Sequence, residues 1–265
     1  MLSEFLWEEI LKEAQRRGIS PQKRRAVLRE FLQVKFLTSF YRFSGCQNFS
    51  FIGGTSLRLL RGLDRFSEDI DFDNFGLEIK ETKKLLEKTA SEFKKENFKL
   101  DFDFKKTKLG GTARMRFPDL LYQLKISKNP KEKLMIKIDF SYQPRVETEV
   151  LLLARFGMSE RVITNTLPVL LSQKFRALIS RKQTRGRDFY DIFWLLTKGV
   201  KPNLTLLKFL NIKSEREFFE KIKEIYRREE KNIPFYKRQI RPFLINEENV
   251  RFLDDLPQLL EQLAF

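Results

Sequence analysis

Two glycines and two aspartates are the residues of this 265-residue chain whose types and spacing point most directly to chemistry. Gly53 and Gly54 end an apolar run, and a glycine pair lets the backbone turn sharply with its N–H groups open to an anion. Asp69 and Asp71 lie two residues apart on a predicted strand, so their carboxylates share one face. Carboxylates beside an anion-holding turn favour Mg²⁺ that bridges them to the phosphates of a nucleotide.

The elements that position these residues are predicted to be a strand, a turn, a short helix, a loop and a second strand. Residues 49–52 form the first strand. Thr55 and Ser56 are residue types that cap helix N-termini, and a helix N-terminus beside the turn favours phosphate. In the second strand the alternation places Asp69, Asp71 and Asp73 on one face, opposite Ile70 and Phe72.

Three more aspartates on predicted strands were weighed against this pair. Asp101 and Asp103 lie on a strand over residues 98–106, but no glycine pair precedes them and their neighbours on the same face are lysines. That pattern favours a solvated sheet face. Asp139 lies on a strand over residues 134–142 and points away from its apolar face.

A second group of charged residues lies far along the chain, on two predicted helices. Lys174 lies in a helix that begins near Pro168, and its ammonium is suited to neutralising a polyphosphate. Asp188 is a capping residue type at the start of the next helix, and Asp191 follows three residues later. Because residues three apart can face the same side of a helix, the spacing does not choose between the two aspartates.

These motifs resemble those of a known family. The strings G-G-T-S-L and R-x-S-x-D-I-D-F, at residues 53–57 and 65–72, resemble the signature of the DNA polymerase β-like nucleotidyltransferase superfamily. More narrowly, the chain resembles the AbiEii/MenT-like toxin nucleotidyltransferases. K-x-x-A-L-x-x-R and R-D-x-x-D, at residues 174–181 and 187–191, resemble the distal motif of that family.

The resemblance implies a role for each residue. It implies two Mg²⁺ ions with Asp69 and Asp71 as metal ligands. Asp139 is the position that fits the third metal ligand, and a solvent-facing strand aspartate is the alternative. The implied nucleotide-binding residues are Gly53, Gly54, Thr55, Ser56, Arg65, Ser67 and Lys174. The implied catalytic residues are Asp69, Asp71, Lys174, Asp188 and Asp191, with Asp191 favoured over Asp188 because Asp188 has a predicted capping role.

The resemblance also implies an activity and its partners. It implies transfer of a nucleoside monophosphate from an NTP to RNA, with the 3′ end of tRNA as the acceptor. It further implies a toxin in a toxin–antitoxin or abortive-infection system, with an antitoxin partner. A metal-dependent ribonuclease, a small-molecule nucleotidyltransferase and a non-catalytic RNA-binding module remain as alternatives.

Composition narrows these classes. The 52 Lys and Arg residues against 36 Asp and Glu residues leave a net charge of +16, which favours a polyanionic partner such as RNA, although a solvated lysine-rich surface is the alternative. The chain has no histidine, which excludes Ser-His-Asp triads and His-ligated zinc. Its one cysteine excludes an intrachain disulfide. We expect a cytoplasmic protein with no signal peptide and no membrane-spanning segment.

The predicted fold class is α+β, with a mixed nucleotidyltransferase-type sheet flanked by helices. Residues 1–160 are predicted to form the nucleotidyltransferase domain with a helical lead-in, and residues 161–265 a helical domain that completes the active site. The predicted strands after the second one cover residues 98–106, 113–117, 121–126 and 134–142. Residues 149–156 are predicted to be either the last strand or the path out of the sheet. Helices are predicted over residues 2–17, 21–41, 78–97, 204–210, 214–231 and 247–263, besides the short helix after the glycine pair and the two near Lys174 and Asp191.

Overall fold

The computed structural model describes residues 2–181 and 183–263. The chain divides into two compact units. The first takes the chain up to Gly62 and again Phe66–Thr164, and the second takes Leu63–Arg65 and the chain from Asn165 onward. Three residues near the glycine pair therefore belong to the second unit, although the chain on both sides of them belongs to the first.

The first unit is built on a seven-stranded mixed sheet. Its helices are α1 (Glu4–Arg16), α2 (Arg24–Phe40), α3 (Gly53–Arg61), α4 (Ile79–Lys95) and the single turn α5 (Leu120–Gln123). Its strands are β1 (Phe49–Ile52), β2 (Ile70–Asn74), β3 (Asp101–Thr107), β4 (Gly110–Phe117), β5 (Leu134–Tyr142), β6 (Thr148–Arg155) and β7 (Met158–Asn165). The strand order is β3-β4-β5-β2-β1-β7-β6.

Strand β2 lies at the centre of this sheet. It runs antiparallel to β1 and parallel to β5, and β4 and β3 continue outward from β5 in antiparallel fashion. Helix α2 packs its buried residues against one face of the sheet. There Phe40 of α2 stacks on Phe72 of β2, with ring centroids 4.9 Å apart. Phe49 meets both rings edge-on, so aromatic burial fixes the side of β2 opposite Asp71.

The sheet confirms the predicted α+β class, but two local predictions are wrong. Residues 121–126 do not form a strand, because Leu120, Leu121 and Leu124 are buried at helical spacing while Tyr122 is exposed. Strand β6 is not the last strand along the chain, because β7 follows it and lies between β1 and β6 in the sheet. Phe156 and Gly157 both have positive φ, which is the backbone of a tight hairpin turn.

The second unit is helical. It contains α6 (Leu167–Ser180), α7 (Gly186–Thr197), α8 (Leu204–Leu207), α9 (Glu215–Glu229), α10 (Ile233–Ile240) and α11 (Phe252–Leu263). Helix α10 lies between the helices predicted over residues 214–231 and 247–263, where no helix is predicted. Pro234 lies in the first turn of α10, where a proline costs no hydrogen bond.

Among the helices of the described residues, none is long and apolar enough to cross a membrane.

Candidate active site

The glycine turn lies where β1 passes directly into α3. Helix α3 begins at Gly53 itself, with Ile52 in the N-cap position, so Thr55 and Ser56 lie inside the helix and do not cap it. Gly53 has a φ of +80°, and a Cβ at this position would collide with the Asp71 carboxylate. Glycine is therefore required both by the backbone conformation and by the close approach of Asp71.

The two hydroxyl residues after the glycine pair are buried and hydrogen-bonded within the unit. Thr55 donates to the main-chain carbonyl of Asp69. Ser56 Oγ lies 2.9 Å from Thr164 Oγ1, which itself donates to the carbonyl of Phe51 at 2.7 Å. Because the Thr164 proton is used in that bond, Ser56 is the donor to Thr164. These bonds tie α3 to β1 and to the segment that holds Asp69, and a direct contact of either hydroxyl with a nucleotide stays a prediction.

The carboxylates are brought together by the register of the sheet. Asp71 of β2 pairs with Asp139 of β5 on one side and with Ile52 of β1 on the other. Asp69 lies one residue before β2, and all three aspartates are partly exposed. By contrast, Asp73 is 2% exposed.

Asp139 has two hydrogen-bond donors within reach. Thr112 Oγ1 donates to its Oδ1 at 2.6 Å, and the Lys137 ammonium pairs with its Oδ2. The hydrogen bond to Asp139 is the main cause that raises the pKa of Lys137, burial opposes it, and the charges of Asp69 and Asp71 add to the rise. Lys137 is thus in the field of all three carboxylates, and sequence reasoning assigned it no role.

The donor set fits Mg²⁺, which prefers carboxylate oxygens. The space that a Cβ would fill at Gly53 is taken by the Asp71 carboxylate, so the turn and the carboxylate are in contact. Within residues 2–181 and 183–263, no three carboxylate or thiol groups converge as a ready metal site. The roles of Asp69, Asp71 and Asp139 as ligands accordingly stay predictions.

The competing pair on β3 is paired with cations. Asp101 lies 2.8 Å from the Lys133 ammonium, and Asp103 pairs with Arg114 and Arg116 of the neighbouring strand β4. Their register partners on β4 are Arg116 and Arg114, so neither aspartate is paired with a residue beside a glycine turn.

In the second unit, Asp191 joins two cations. Its carboxylate accepts a two-pronged hydrogen bond from Arg65, with Nε–Oδ1 and Nη2–Oδ2 both at 2.7 Å, and Lys174 Nζ lies 2.7 Å from Oδ2. The Asp191 side chain is 0% exposed and that of Arg65 is 3% exposed, whereas Lys174 is 17% exposed. Burial acts to raise the pKa of Asp191, but the charges of Arg65 and Lys174 outweigh it and lower that pKa to about 2.

Asp188 serves the start of helix α7. It is the third residue of the helix and not its N-cap, and it accepts from the main-chain N–H of Arg185 at 3.2 Å and from the Arg181 guanidinium. Arg187 lies close to these cations, and burial is the main cause that lowers its pKa, with the charges of Arg65 and Arg185 adding to the fall. The stretch from Arg181 to Asp188 therefore contains more positively than negatively charged side chains.

A further polar group in the second unit was not anticipated. Tyr190, next to Asp191 in α7, donates to Asp64 Oδ1 at 2.7 Å, and Asn249 donates to Asp64 Oδ2. Burial, followed by this hydrogen bond, raises the pKa of Tyr190 well above its usual range. Asp64 is the residue before Arg65, so two neighbouring residues of the Leu63–Arg65 segment are held by two neighbouring residues of α7.

Solved structures share this fold. JHP933 from Helicobacter pylori is 21% identical and aligns over 93% of this chain and 94% of its own, with a TM-score of 0.55. The nucleotidyltransferase toxin MenT4 from Mycobacterium tuberculosis is 17% identical over 82% of this chain and 70% of its own, with a TM-score of 0.50. No curated protein sequence matches the chain.

The fold is therefore one that nucleotidyltransferases use, and the family can be stated. The family model for the nucleotidyl transferase AbiEii toxin of type IV toxin–antitoxin systems matches residues 35–262. This match covers most of the chain, so the protein belongs to the AbiEii nucleotidyltransferase toxin family and is a nucleotidyltransferase.

Proposed function

We propose that this nucleotidyltransferase moves a nucleoside monophosphate from an NTP to RNA, with the 3′ end of tRNA as the acceptor, in a Mg²⁺-dependent reaction. The observation that carries the proposal is the contact between the Gly53 turn and Asp71, beside Asp139 in the neighbouring strand. That arrangement sets main-chain donors for phosphate next to oxygen ligands for a cation.

The roles follow from these groups. Asp69 and Asp71, with Asp139, would hold two Mg²⁺ ions, whose chemistry there is neutralisation of charge on the transferring phosphoryl group. The N–H groups of the Gly53–Gly54 turn bind the β- and γ-phosphates, and the partly exposed Ser67 contacts the nucleotide. The buried side chains of Thr55, Ser56 and Arg65 support the site through the groups they bind. Lys174 neutralises further phosphate charge. The acceptor hydroxyl forms a bond to the α-phosphorus, its proton passes to solvent, and the bond to pyrophosphate breaks.

The buried aspartates of the second unit act through cations in this proposal. Asp191 positions Lys174 and Arg65, and Asp188 holds Arg181 while it satisfies the start of α7. Neither carboxylate needs to contact the nucleotide, which agrees with their burial.

The RNA part of the proposal is supported by charge. Besides the net charge of +16, the segment 231–243 contains four cations and no acid. Lys231, Arg238 and Arg241 of this segment are exposed, and in the described part of the chain none of them forms an ion pair. Phe235, in helix α10 within this segment, is 44% exposed. Exposed aromatic rings among cations can stack on the bases of unpaired nucleotides.

The proposal also has a biological side. Membership of the AbiEii family supports a toxin that is neutralised by a cognate antitoxin. Because NTPs and tRNA are cytoplasmic, the reaction is proposed to take place in the cytoplasm.

The test is incubation of the purified protein with total tRNA and each labelled NTP in turn, with and without a chelator of Mg²⁺. We expect label on tRNA only when Mg²⁺ is present, and Asp71→Asn should reduce the labelling rate at least 100-fold, on the order of the loss of one charge-stabilising group. Asp101→Asn is the matched control, because it changes one aspartate of the competing pair and should label at the wild-type rate.

Three outcomes would contradict the proposal. Labelling by Asp71→Asn at the wild-type rate would remove Asp71 from the site. Cleavage of RNA without any NTP would instead indicate a ribonuclease, and label on small molecules but not on RNA would indicate the small-molecule alternative.

A further inference from the structure

Lys137 lies on the polar face of β5, two residues from Asp139 and on the same side. The side chains of Lys137 and Asp139 are 34% and 30% exposed, so their ion pair is largely but not fully withdrawn from water. Thr112 of β4 binds the other oxygen of Asp139 at 2.6 Å. Both oxygens of the proposed third metal ligand therefore already carry a donor.

The surroundings of Lys137 are dominated by carboxylates. Asp71 pairs in register with Asp139, and Asp69 lies two residues before Asp71 in the chain. On its other side, the register partner of Lys137 is Arg114, which is turned to Asp103 at 3.3 Å. The Lys137 ammonium thus pairs with Asp139 and lies in the field of Asp69 and Asp71, the other two proposed metal-binding carboxylates.

An ammonium and a divalent cation compete for the same carboxylate. A metal ion at Asp139 must displace the ammonium from Oδ2 or bind beside it, and like charges at such distances repel strongly where water is partly excluded. The alternation of β5 keeps Lys137 on the face of Asp139, so the ammonium has Asp139 within reach whenever the strand is formed.

We propose that Lys137 is a built-in counter-ion of this carboxylate cluster, which holds Asp139 and weakens the binding of a divalent cation there. Lys137 is a positioning residue for the metal site. This inference rests on the proposed function only in taking Asp69, Asp71 and Asp139 as the place where the metal binds.

The experiment measures Mn²⁺ binding to the purified full chain without nucleotide, from the electron paramagnetic resonance signal of free Mn²⁺. Removing the ammonium with Lys137→Met should tighten Mn²⁺ binding about tenfold. This change corresponds to about 1.4 kcal/mol of binding free energy, the size expected when one like charge is removed beside a half-buried site. Lys137→Arg keeps the positive charge and should bind Mn²⁺ like the wild type.

Two controls isolate the cause. Lys133→Met removes a cation just before the same strand, where it pairs with Asp101, and should leave Mn²⁺ affinity unchanged. If Lys137 acts through Asp139, then adding Lys137→Met to Asp139→Asn should change the affinity much less than it does in the wild type. Thermal unfolding of each variant checks that it is folded, and Lys137→Gln, which removes the charge but keeps a polar side chain, should tighten Mn²⁺ binding in the same way if Lys137→Met does not fold.

The results separate this inference from the proposed function. Equal Mn²⁺ affinity in Lys137→Met and the wild type, or a tightening in Lys137→Arg equal to that in Lys137→Met, would overturn the role of Lys137. If Asp71→Asn also loses Mn²⁺ binding in that case, the proposed metal site stands and only the counter-ion role falls. If Asp71→Asn binds Mn²⁺ like the wild type, the metal site itself is wrong.

Discussion

At the scale of single residues, burial separates the aspartates that can meet a ligand from those that act through a neighbour. Asp69, Asp71 and Asp139 are partly exposed, whereas Asp188 and Asp191 are 2% and 0% exposed. A fully buried carboxylate stays ionised only when cations compensate its lost hydration. Arg65 and Lys174 provide that compensation for Asp191, and the Asp191 carboxylate in turn holds both cations in position.

The lowered pKa of Asp191 makes a pH-dependent contribution to stability. Its folded pKa of about 2 lies below the ordinary 3.8, so the contribution is present above about pH 4 and is lost as the pH falls towards 2. We expect Asp191→Asn to lose about 2 kcal/mol of unfolding free energy at pH 7, and the deficit relative to the wild type to shrink between about pH 5 and pH 2.5. Urea unfolding followed over this pH range measures the difference.

The matched variant for this prediction is Lys174→Met. It removes one cation but leaves the two hydrogen bonds from Arg65 to Asp191 in place, so it should destabilise the protein less than Asp191→Asn. A deficit of Asp191→Asn that stays constant from pH 7 to pH 2.5 would contradict the assigned pKa.

At the scale of elements, helix α3 connects the glycine turn to the carboxylates. Its first residue contacts Asp71, its third binds the main chain of Asp69, and its fourth binds Thr164. On its other side, Arg58 of α3 and Arg155 of β6 both bind the buried Glu30 of α2, with Nε–Oε2 and Nη1–Oε1 distances of 2.8 Å. The helix is therefore fixed from several directions, and the turn at its start is held in one position.

The two ends of α3 allow a matched test of the glycine turn. Gly53 and Gly62 have φ values of +80° and +79°, but a Cβ would meet Asp71 only at Gly53 and has open space at Gly62. Both Gly53→Ala and Gly62→Ala should lose about 1 kcal/mol of stability from the positive φ. Only Gly53→Ala should also lower the rate of nucleotide transfer, at least tenfold, because it displaces the Asp71 carboxylate.

Thermal unfolding and the labelling assay on both variants measure the two effects separately. An equal loss of transfer rate in the two variants would show that strain in α3 matters and that the contact with Asp71 does not.

At the scale of the whole molecule, charge is the dominant property. A net charge of +16 predicts that RNA binding is driven by release of counterions and weakens with salt. We expect affinity for tRNA to fall roughly tenfold or more between 50 and 200 mM salt, as it does when a protein contacts a few phosphates. Filter binding over a salt series measures the slope.

Two double variants with the same change in net charge distinguish local RNA contacts from the effect of net charge on RNA binding. Arg238→Gln with Arg241→Gln removes two cations from the acid-free segment 231–243 and should make the salt dependence shallower. Lys12→Gln with Lys83→Gln removes the same charge from helices α1 and α4, where the lysines pair with Glu9 and Glu87, and should leave the slope nearly unchanged. Equal slopes for both double variants would argue against the segment as an RNA contact.

Patterns that depend on neighbours along the chain were predictable from the sequence. The alternation of residues 134–142 predicted β5 with its observed bounds, and a strand, a helix and a second strand form around the glycine pair, with α3 beginning at Gly53 itself and Asp69 just before β2. Local signals were also present where predictions failed: Phe156-Gly157 marks the hairpin into β7, and Pro234 marks the first turn of α10. A glycine of this kind after a strand favours a hairpin, and a proline in a first turn is compatible with the start of a helix.

The sequence alone determined the α+β class, the contrast between a sheet-forming first part and a helical second part, and the types and spacing of the chemical groups. Only the tertiary structure decided that Asp139 stands beside Asp71, that Lys137 holds Asp139, and that Arg65 and Lys174 meet on Asp191. Periodicity sets which face a side chain takes, because it depends on local backbone geometry. The partner across a strand or a helix depends on register and packing between residues as far apart as 65 and 191, and no local pattern specifies it.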